Sequence, residues 1–223
     1  MPHAYVVIDI ETGFASEAVI ERALAGWTAP SNVKDPDKIA ERRQQAAAGF
    51  LEKSALLDGS PITSIALVCG KDRQVFAGPD EVDILTKFRS ALDAATGPET
   101  VLVGHNICGF DLPRLRSAFI RLRLVLPMAL RLDNDEEKRA VVFDTMRSFR
   151  YFSSERHEDR FVSLADVIDA FGLPRYKDGI SGKDMPALAK SGKWDTIREY
   201  NLLDAVATEA VYLLMNSTHK DMK

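Results

Sequence analysis

The strongest constraint on the fold lies near the N-terminus, in the aliphatic segment VVIDIETGF at residues 6–14. Its valines and isoleucines predict a buried β-strand, yet Asp9 and Glu11 place two carboxylates within it. Because successive side chains of a strand point to opposite faces, Asp9 and Glu11 share one face. Two like charges in an apolar strand repel each other and lose hydration. Either a cation offsets this cost, or the strand leaves the core at this point.

The composition is that of a soluble, globular protein. The 223 residues are 46% hydrophobic and 28% charged, and their two cysteines are too few for a disulfide framework. No uncharged run reaches the roughly 18 residues of a membrane span, and no signal peptide is apparent. We therefore expect a single cytoplasmic domain over residues 1–223.

Hydrophobic periodicity predicts alternating strands and helices along the chain. Strands are expected at 4–10, 62–69, 73–78, 100–106 and 140–145. Helices are expected at 16–25, 35–57 and 80–95, from residue 111, at 163–171 and at 194–214. This order indicates an α/β fold in which a mixed five-stranded sheet is flanked by helices. Residues 26–60 form a long insertion between the first two strands, and we expect it to lie on the surface.

Basic residues are concentrated in two stretches, although the net charge is −4. Five arginines and no acid lie between Leu112 and Leu132, and a second basic stretch runs from Arg175 to Lys193. The acidic balance argues against a protein that coats nucleic acid, but it allows an enzyme that holds one strand in a local groove. From charge alone, a solvated helix face is the commoner explanation of such stretches.

Two further carboxylates have informative surroundings. Asp111 follows the segment TVLVGHNICGF, and it is predicted to cap the helix that begins there. Asp204 shares a helix face with Tyr200 and is the only charge in the predicted apolar stripe of the last helix. The stripe comprises Trp194, Ile197, Tyr200, Asp204, Ala207, Val211 and Leu214. A carboxylate that faces a core is unfavourable unless it is paired or bound to a metal. The alternative is that Asp204 faces solvent while Leu203 faces the core.

Four carboxylates on three elements suit a magnesium or manganese site. Hard divalent cations prefer carboxylate oxygens, whereas the scattered histidines form no zinc pair. Two such ions would clamp the attacking and leaving oxygens of a phosphodiester, and Tyr200 would orient the attacking water. The sequence contains neither a phosphate-binding glycine loop nor the G-x-S-x-G motif of serine hydrolases.

The segments DIET, HNICGFDLP and YNLLD together resemble the three motifs of the DEDD superfamily of 3′–5′ exonucleases, which have a ribonuclease-H-like fold. The tyrosine type of this superfamily has Tyr four residues before the last Asp, as Tyr200 stands before Asp204. The histidine type has His five residues before it, where this chain has Glu199. DIET with GFDLP is most similar to the proofreading domain of family B DNA polymerases and to its stand-alone phage and bacterial relatives.

The resemblance implies a role for each matching residue and two Mg²⁺ or Mn²⁺ ions as cofactors. Asp9, Glu11 and Asp204 would bind the first ion. Asp9 would bridge to the second ion, which Asp111 would support, and Tyr200 would position the nucleophile. The residues expected to contact nucleotides near the 3′ end are Thr12, Phe14, Asn106 and Phe110.

The activity implied by the resemblance is metal-dependent removal of nucleoside 5′-monophosphates from the free 3′ end of single-stranded DNA. One alternative is the same chemistry on RNA, as in ribonuclease D-like enzymes. Another is a non-catalytic module that docks a replication or repair partner. The sequence shows no polymerase segment, so a proofreading role would be exercised in trans on a polymerase partner. No membrane partner is expected.

Overall fold

One mixed sheet organises the described part of the chain. The computed structural model describes residues 3–55, 59–132, 141–152, 161–175 and 179–220. The strands are β1 (Tyr5–Thr12), β2 (Ile62–Cys69), β3 (Asp72–Ala77), β4 (Val101–Gly104) and β5 (Val142–Asp144). Their order in the sheet is β3-β2-β1-β4-β5. β1 pairs with β2 in antiparallel and with β4 in parallel orientation, so the predicted mixed five-stranded sheet is confirmed.

Helices flank this sheet. They are α1 (Glu17–Leu24), α2 (Pro36–Ser54), α3 (Glu81–Ala95), α4 (Asp111–Arg121), α5 (Thr145–Phe152), α6 (Leu164–Ala170), α7 (Met185–Lys190) and α8 (Trp194–Lys220), with short 3₁₀ turns at Met128–Leu130 and Gly182–Asp184. Helices α5 and α7 were not predicted from the sequence. Within the described ranges, no helix combines the length and hydropathy needed to cross a bilayer.

Some predicted features fall partly outside the described residues. These are residues 56–58 of the insertion, residue 140 of the last predicted strand, and Lys177 and Asp178 of the second basic stretch.

The central strand β1 divides its side chains between two layers. Ile8 points to the layer of α3 and α4, where it belongs to the main hydrophobic core. Val7 points to the opposite face and packs with Ala205 of α8. Because the side-chain period of a strand is two residues, Asp9 and Glu11 lie on the same face as Val7. The fold thus directs both carboxylates toward the last helix.

Helix α8 is longer than predicted, and its buried face departs from the predicted stripe near the C-terminal end. The stripe was expected to continue from Val211 to Leu214. Instead, Leu214 is 37% exposed and Met215 is 3% exposed. Successive buried positions of an α-helix are three or four residues apart, and here the step from Val211 is four.

The insertion is anchored to the end of β1 by the C-terminus of α2. The buried Ser54 hydroxyl accepts a hydrogen bond from the Ala15 backbone N–H at 3.0 Å. The Thr12 hydroxyl donates to the Ala55 carbonyl at 2.8 Å. Much of α2 is exposed, but its end is therefore attached to the strand that carries Asp9 and Glu11.

Candidate active site

Three carboxylates meet between β1 and α8. One oxygen each of Asp9, Glu11 and Asp204 lies within 4.8 Å of the other two. Glu11 is buried, whereas Asp9 and Asp204 are half-buried, so the cluster borders solvent. Anions this close repel each other unless positive charge lies between them. An all-oxygen donor set is also what Mg²⁺ and Mn²⁺ prefer, and the three residues therefore fit a divalent cation.

The local backbone explains how the cluster forms. β1 pairs regularly with β2 as far as Glu11, which lies opposite Ser64. The register then shifts at Thr12, and such an irregularity bends a strand and re-aims its side chains. On α8, Asp204 faces β1, so the alternative in which it faces solvent is not adopted.

Tyr200 joins the cluster from one turn earlier on α8. Its hydroxyl hydrogen-bonds to Asp204, and its ring packs with Met185 and Ile197. Burial raises the pKa of the Tyr200 phenol, and the charges of Asp204 and Glu11 raise it further. The hydroxyl consequently stays protonated at neutral pH. A protonated phenol has one proton, which Tyr200 donates to Asp204, and its oxygen can accept further hydrogen bonds.

The predicted N-cap role of Asp111 is wrong. Phe110 occupies the N-cap position, and Asp111 is the first residue of α4. Its Oδ1 accepts a hydrogen bond from the Ile10 backbone N–H at 3.0 Å. The parallel pairing of β1 with β4 ends at Val7, so a side chain replaces the missing strand as acceptor for Ile10. Among the described residues, Asp111 is not part of the three-carboxylate cluster, but it contacts the backbone between Asp9 and Glu11.

The carboxyl group of Asp111 is almost completely buried. Burial raises its pKa to about 7, and the neighbouring carboxylate of Asp144 adds to this increase. The hydrogen bond from Ile10 and the guanidinium of Arg114 act in the opposite direction. Asp111 therefore changes its charge close to neutral pH.

Asn201 is a site residue that the sequence analysis missed. Its Nδ2 donates to Oδ2 of Asp9 at 2.6 Å, and its Oδ1 accepts from the Ser64 hydroxyl at 2.7 Å. Asn201 and Ser64 are both fully buried. Because Ser64 donates to the amide oxygen, the amide nitrogen is turned toward Asp9. The only signal in the sequence was a polar residue beside Tyr200 in a mainly apolar helix.

Asp144 is a second missed residue, and it holds the loop that leads to Asp111. Its two carboxylate oxygens accept hydrogen bonds from the backbone N–H groups of Asn106 and Cys108, each at 3.1 Å. Asn106 has a φ of 59°, in the left-handed region that Asn tolerates better than most residues. The signal in the sequence was an acid directly after the apolar strand residues of β5.

The four residues predicted to contact nucleotides have different surroundings. Thr12 is buried, and its hydroxyl is engaged with Ala55. Asn106 lies in the turn held by Asp144. The ring of Phe110 lies 4.6 Å from the Arg114 guanidinium carbon. Phe14 is half-buried and lines a groove beside α2.

The first basic stretch is largely engaged within the protein. Four of its five arginines contact other groups of this chain, so they do not form a free surface for nucleic acid. The contacts are Arg114 with the Phe110 ring, Arg116 with the carbonyls of Leu130 and Leu132, Arg121 with Glu81, and Arg131 with the Leu126 carbonyl.

Comparison with known proteins supports the fold and identifies a matching family. Residues 62–223 match the family described as "Predicted 3'-5' exonuclease related to the exonuclease domain of PolB". This range contains Asp111 and Asp204 and begins after β1. No curated protein matches the chain.

Among solved structures, the chain resembles the family B DNA polymerase from the hyperthermophilic archaeon Pyrobaculum calidifontis. The TM-score is 0.51 and the sequence identity is 15% over 91% of this chain. The match covers 23% of the polymerase chain, so this protein corresponds to about a quarter of that length. The likeness supports the predicted ribonuclease-H-like fold.

Replacing Asp111 by Asn is expected to stabilise the metal-free protein more at pH 8 than at pH 5. The folded-state pKa lies above the ordinary value of 3.8, so between the two values the native state binds more protons than the unfolded state. The unfavourable contribution of Asp111 therefore grows as pH rises toward 7. Asn keeps an oxygen acceptor for Ile10 without the charge, and its gain should be about 3 kcal/mol larger at pH 8.

Urea unfolding in EDTA at the two pH values measures this difference. The exposed Asp37→Asn variant is the matched control, and we expect it to follow the wild type. Identical pH dependence of the wild type and Asp111→Asn would show that the burial of Asp111 has no such effect.

Proposed function

The chain belongs to the family of predicted 3′–5′ exonucleases related to the exonuclease domain of PolB, and we propose that it degrades single-stranded DNA from the 3′ end. One observation carries this proposal. The oxygens of Asp9, Glu11 and Asp204 lie within 4.8 Å of one another, and the Tyr200 hydroxyl is bonded to Asp204. A cluster of anions with one protonated donor suits a site that binds cations and a phosphodiester together.

In the proposed reaction, water attacks the phosphorus of the terminal phosphodiester. A bond forms between the water oxygen and phosphorus, and the bond from phosphorus to the 3′ oxygen of the preceding nucleotide breaks. A proton from the water is delivered through solvent to that 3′ oxygen. The products are a nucleoside 5′-monophosphate and a strand shortened by one nucleotide with a new 3′ hydroxyl.

We assign the metal-binding role to the carboxylates. Asp9, Glu11 and Asp204 would hold one Mg²⁺ or Mn²⁺ ion, and Asp9 with Asp111 would serve a second. When bound, such ions supply positive charge to the phosphodiester and lower the pKa of the attacking water. The chain itself orients one oxygen of Asp9 through Asn201 and holds Asp111 against the backbone of Ile10.

Tyr200 is assigned a positioning role toward the water. The phenol stays protonated and donates its one proton to Asp204, so its oxygen would accept a hydrogen bond from the water. Its ring is held by Met185 and Ile197, which restricts the position of the hydroxyl beside Asp204.

A 5′-labelled oligonucleotide tests the proposed activity. With Mg²⁺ or Mn²⁺ we expect a ladder of products shortened from the 3′ end, and we expect EDTA or Asp9→Ala to abolish it. The exposed Asp83→Ala variant should cleave as the wild type does. The same assay on DNA and RNA oligonucleotides of matched sequence measures the preference between the two substrates. Absence of cleavage with every divalent metal would refute the proposal, and an unchanged ladder from Asp204→Ala would refute the assigned site.

Tyr200→Phe should lower kcat by about 10²-fold, which is at the low end for positioned acid–base groups. Because the phenol stays protonated, the variant should keep the shape of the wild-type pH–rate profile between about pH 6 and 9. Steady-state rates across this range measure both effects, with Asp9→Ala as the comparison. A loss in kcat equal to that of Asp9→Ala would contradict the positioning role. So would a basic limb of the pH–rate profile that is present in the wild type and missing in Tyr200→Phe.

Asn201→Ala should raise the Mn²⁺ concentration needed for half-maximal activity by about tenfold, as is usual when a partner of a metal ligand is removed. Ser64→Ala should have a smaller effect in the same direction, because Ser64 acts on Asp9 through Asn201. The double variant should resemble Asn201→Ala alone. Metal titrations of activity provide the measurement, and fully additive effects would argue against the relay.

A further inference from the structure

A groove of about 830 Å³ runs beside α2, the helix of the insertion, and we call it the insertion groove. It begins at Gly13 and Phe14, just after the strand that carries Glu11. One wall comes from α1 and from a single face of α2, whose residues are spaced three and four apart. The other wall comes from α7 and the start of α8. The α2 residues are Gln44, Ala47, Ala48 and Leu51, and the opposite wall includes Pro186, Ala189, Lys190 and Trp194.

The insertion groove is lined by residues from the same two parts of the chain that carry the carboxylate cluster. On the β1 side, Phe14 is separated from Glu11 by only two residues. On the α8 side, Ala189 and Trp194 line the groove and also pack in the cluster that holds Tyr200. A single strand of nucleic acid whose 3′ end lies at the carboxylates can therefore continue into the groove.

The insertion wall is attached firmly where the groove meets the site. The Ser54 hydroxyl accepts from Ala15 and donates to the Leu51 carbonyl at 2.7 Å. The carbonyl of Ala55 accepts from Thr12. Leu51 lines the groove, so these hydrogen bonds fix the position of the α2 wall relative to the end of β1.

The walls combine apolar surface with two aromatic rings. Ile20 and Leu51 contribute aliphatic surface, and Phe14 and Trp194 contribute half-buried rings. Unpaired bases stack on aromatic side chains without regard to sequence. The lining therefore suits nucleobases better than a sugar–phosphate backbone.

Charge at the groove favours an anionic strand on the α7 side. Lys190 lines the groove, and Lys183 and Lys193 are exposed at either end of the same segment. Within the described ranges, none of these three lysines forms an ion pair. Of the acids on the lining, Glu21 faces Arg43 at 3.3 Å, Glu81 faces Arg121 at 2.8 Å, and Glu17 is exposed on the α1 side.

We propose that the insertion groove binds the unpaired nucleotides next to the scissile linkage, with bases on its apolar walls and phosphates toward Lys190. The insertion would thereby contribute directly to strand binding. This inference rests on the proposed exonuclease function, because it takes the carboxylate cluster as the position of the 3′ end.

Anisotropy of a labelled deoxythymidine oligonucleotide in EDTA measures binding without cleavage. Lys190→Gln should weaken binding and reduce the slope of log K against log salt by about 0.7, the value for one phosphate contact on a single strand. Lys71→Gln is the matched control. Lys71 is exposed in the β2–β3 turn, and the pairing of β1 with β2 places this turn at the opposite end of the sheet. We expect this control to bind as the wild type does.

Two adjacent glutamines of α2 test the insertion wall. Both are exposed, but Gln44 lines the groove and Gln45 does not. Gln44→Glu introduces a negative charge on a side chain of nearly the same shape. It should weaken binding of the oligonucleotide about threefold, because the carboxylate repels the phosphates and this repulsion is partly screened. Gln45→Glu should leave the affinity unchanged. Equal effects of the two glutamine variants on affinity would overturn the proposal. The proposal would also fail if neither variant changed the affinity and Lys190→Gln left the salt slope unchanged.

A small substrate separates failure of this inference from failure of the proposed function. The p-nitrophenyl ester of thymidine 5′-monophosphate presents one nucleotide and does not extend along the groove. We expect the groove variants to hydrolyse it as the wild type does while their KM for the oligonucleotide rises. If the wild type cleaves both substrates and the variants keep the wild-type KM, the groove assignment is wrong and the activity stands. If the wild type cleaves neither substrate, the proposed function is wrong.

Discussion

The mutual repulsion of Asp9, Glu11 and Asp204 is the interaction on which the rest of the site depends. Their oxygens lie within 4.8 Å of one another, and two of the three side chains stand on β1, the central strand of the sheet. An arrangement of this kind persists only where the surrounding structure leaves the carboxylates little freedom to move apart. β1 provides that restraint because its other side chains are packed in hydrophobic layers on both faces.

Neighbouring polar groups add to this restraint. Asn201 donates a hydrogen bond to one oxygen of Asp9, and Tyr200 donates one to Asp204. Asp111 is tied to the backbone between the two strand carboxylates. The arginines of α4 are mostly directed to carbonyl groups, a ring or Glu81. A bound divalent cation would offset the mutual repulsion of the three carboxylates.

The sequence was informative where one element determines the geometry. The alternation of β1 predicted that Asp9 and Glu11 share a face, and the four-residue spacing on α8 predicted that Tyr200 and Asp204 do. The sequence did not predict the role of a side chain whose hydrogen-bond partner is distant along the chain. Asp111 looked like a cap because Asp is a common N-cap residue, but its partner is Ile10 in another strand. Asn201 depends on Ser64, and Asp144 on backbone groups of a distant loop. The arginine stretch showed its charge but not its internal acceptors.

We propose that the three clustered carboxylates form a metal centre. Anomalous scattering from a crystal soaked with Mn²⁺ and a nucleoside 5′-monophosphate tests this proposal. We expect a manganese peak coordinated by Asp9, Glu11 and Asp204, and the loss of that peak in Asp204→Asn. A map with manganese bound elsewhere in the wild type and no peak among these three side chains would contradict it.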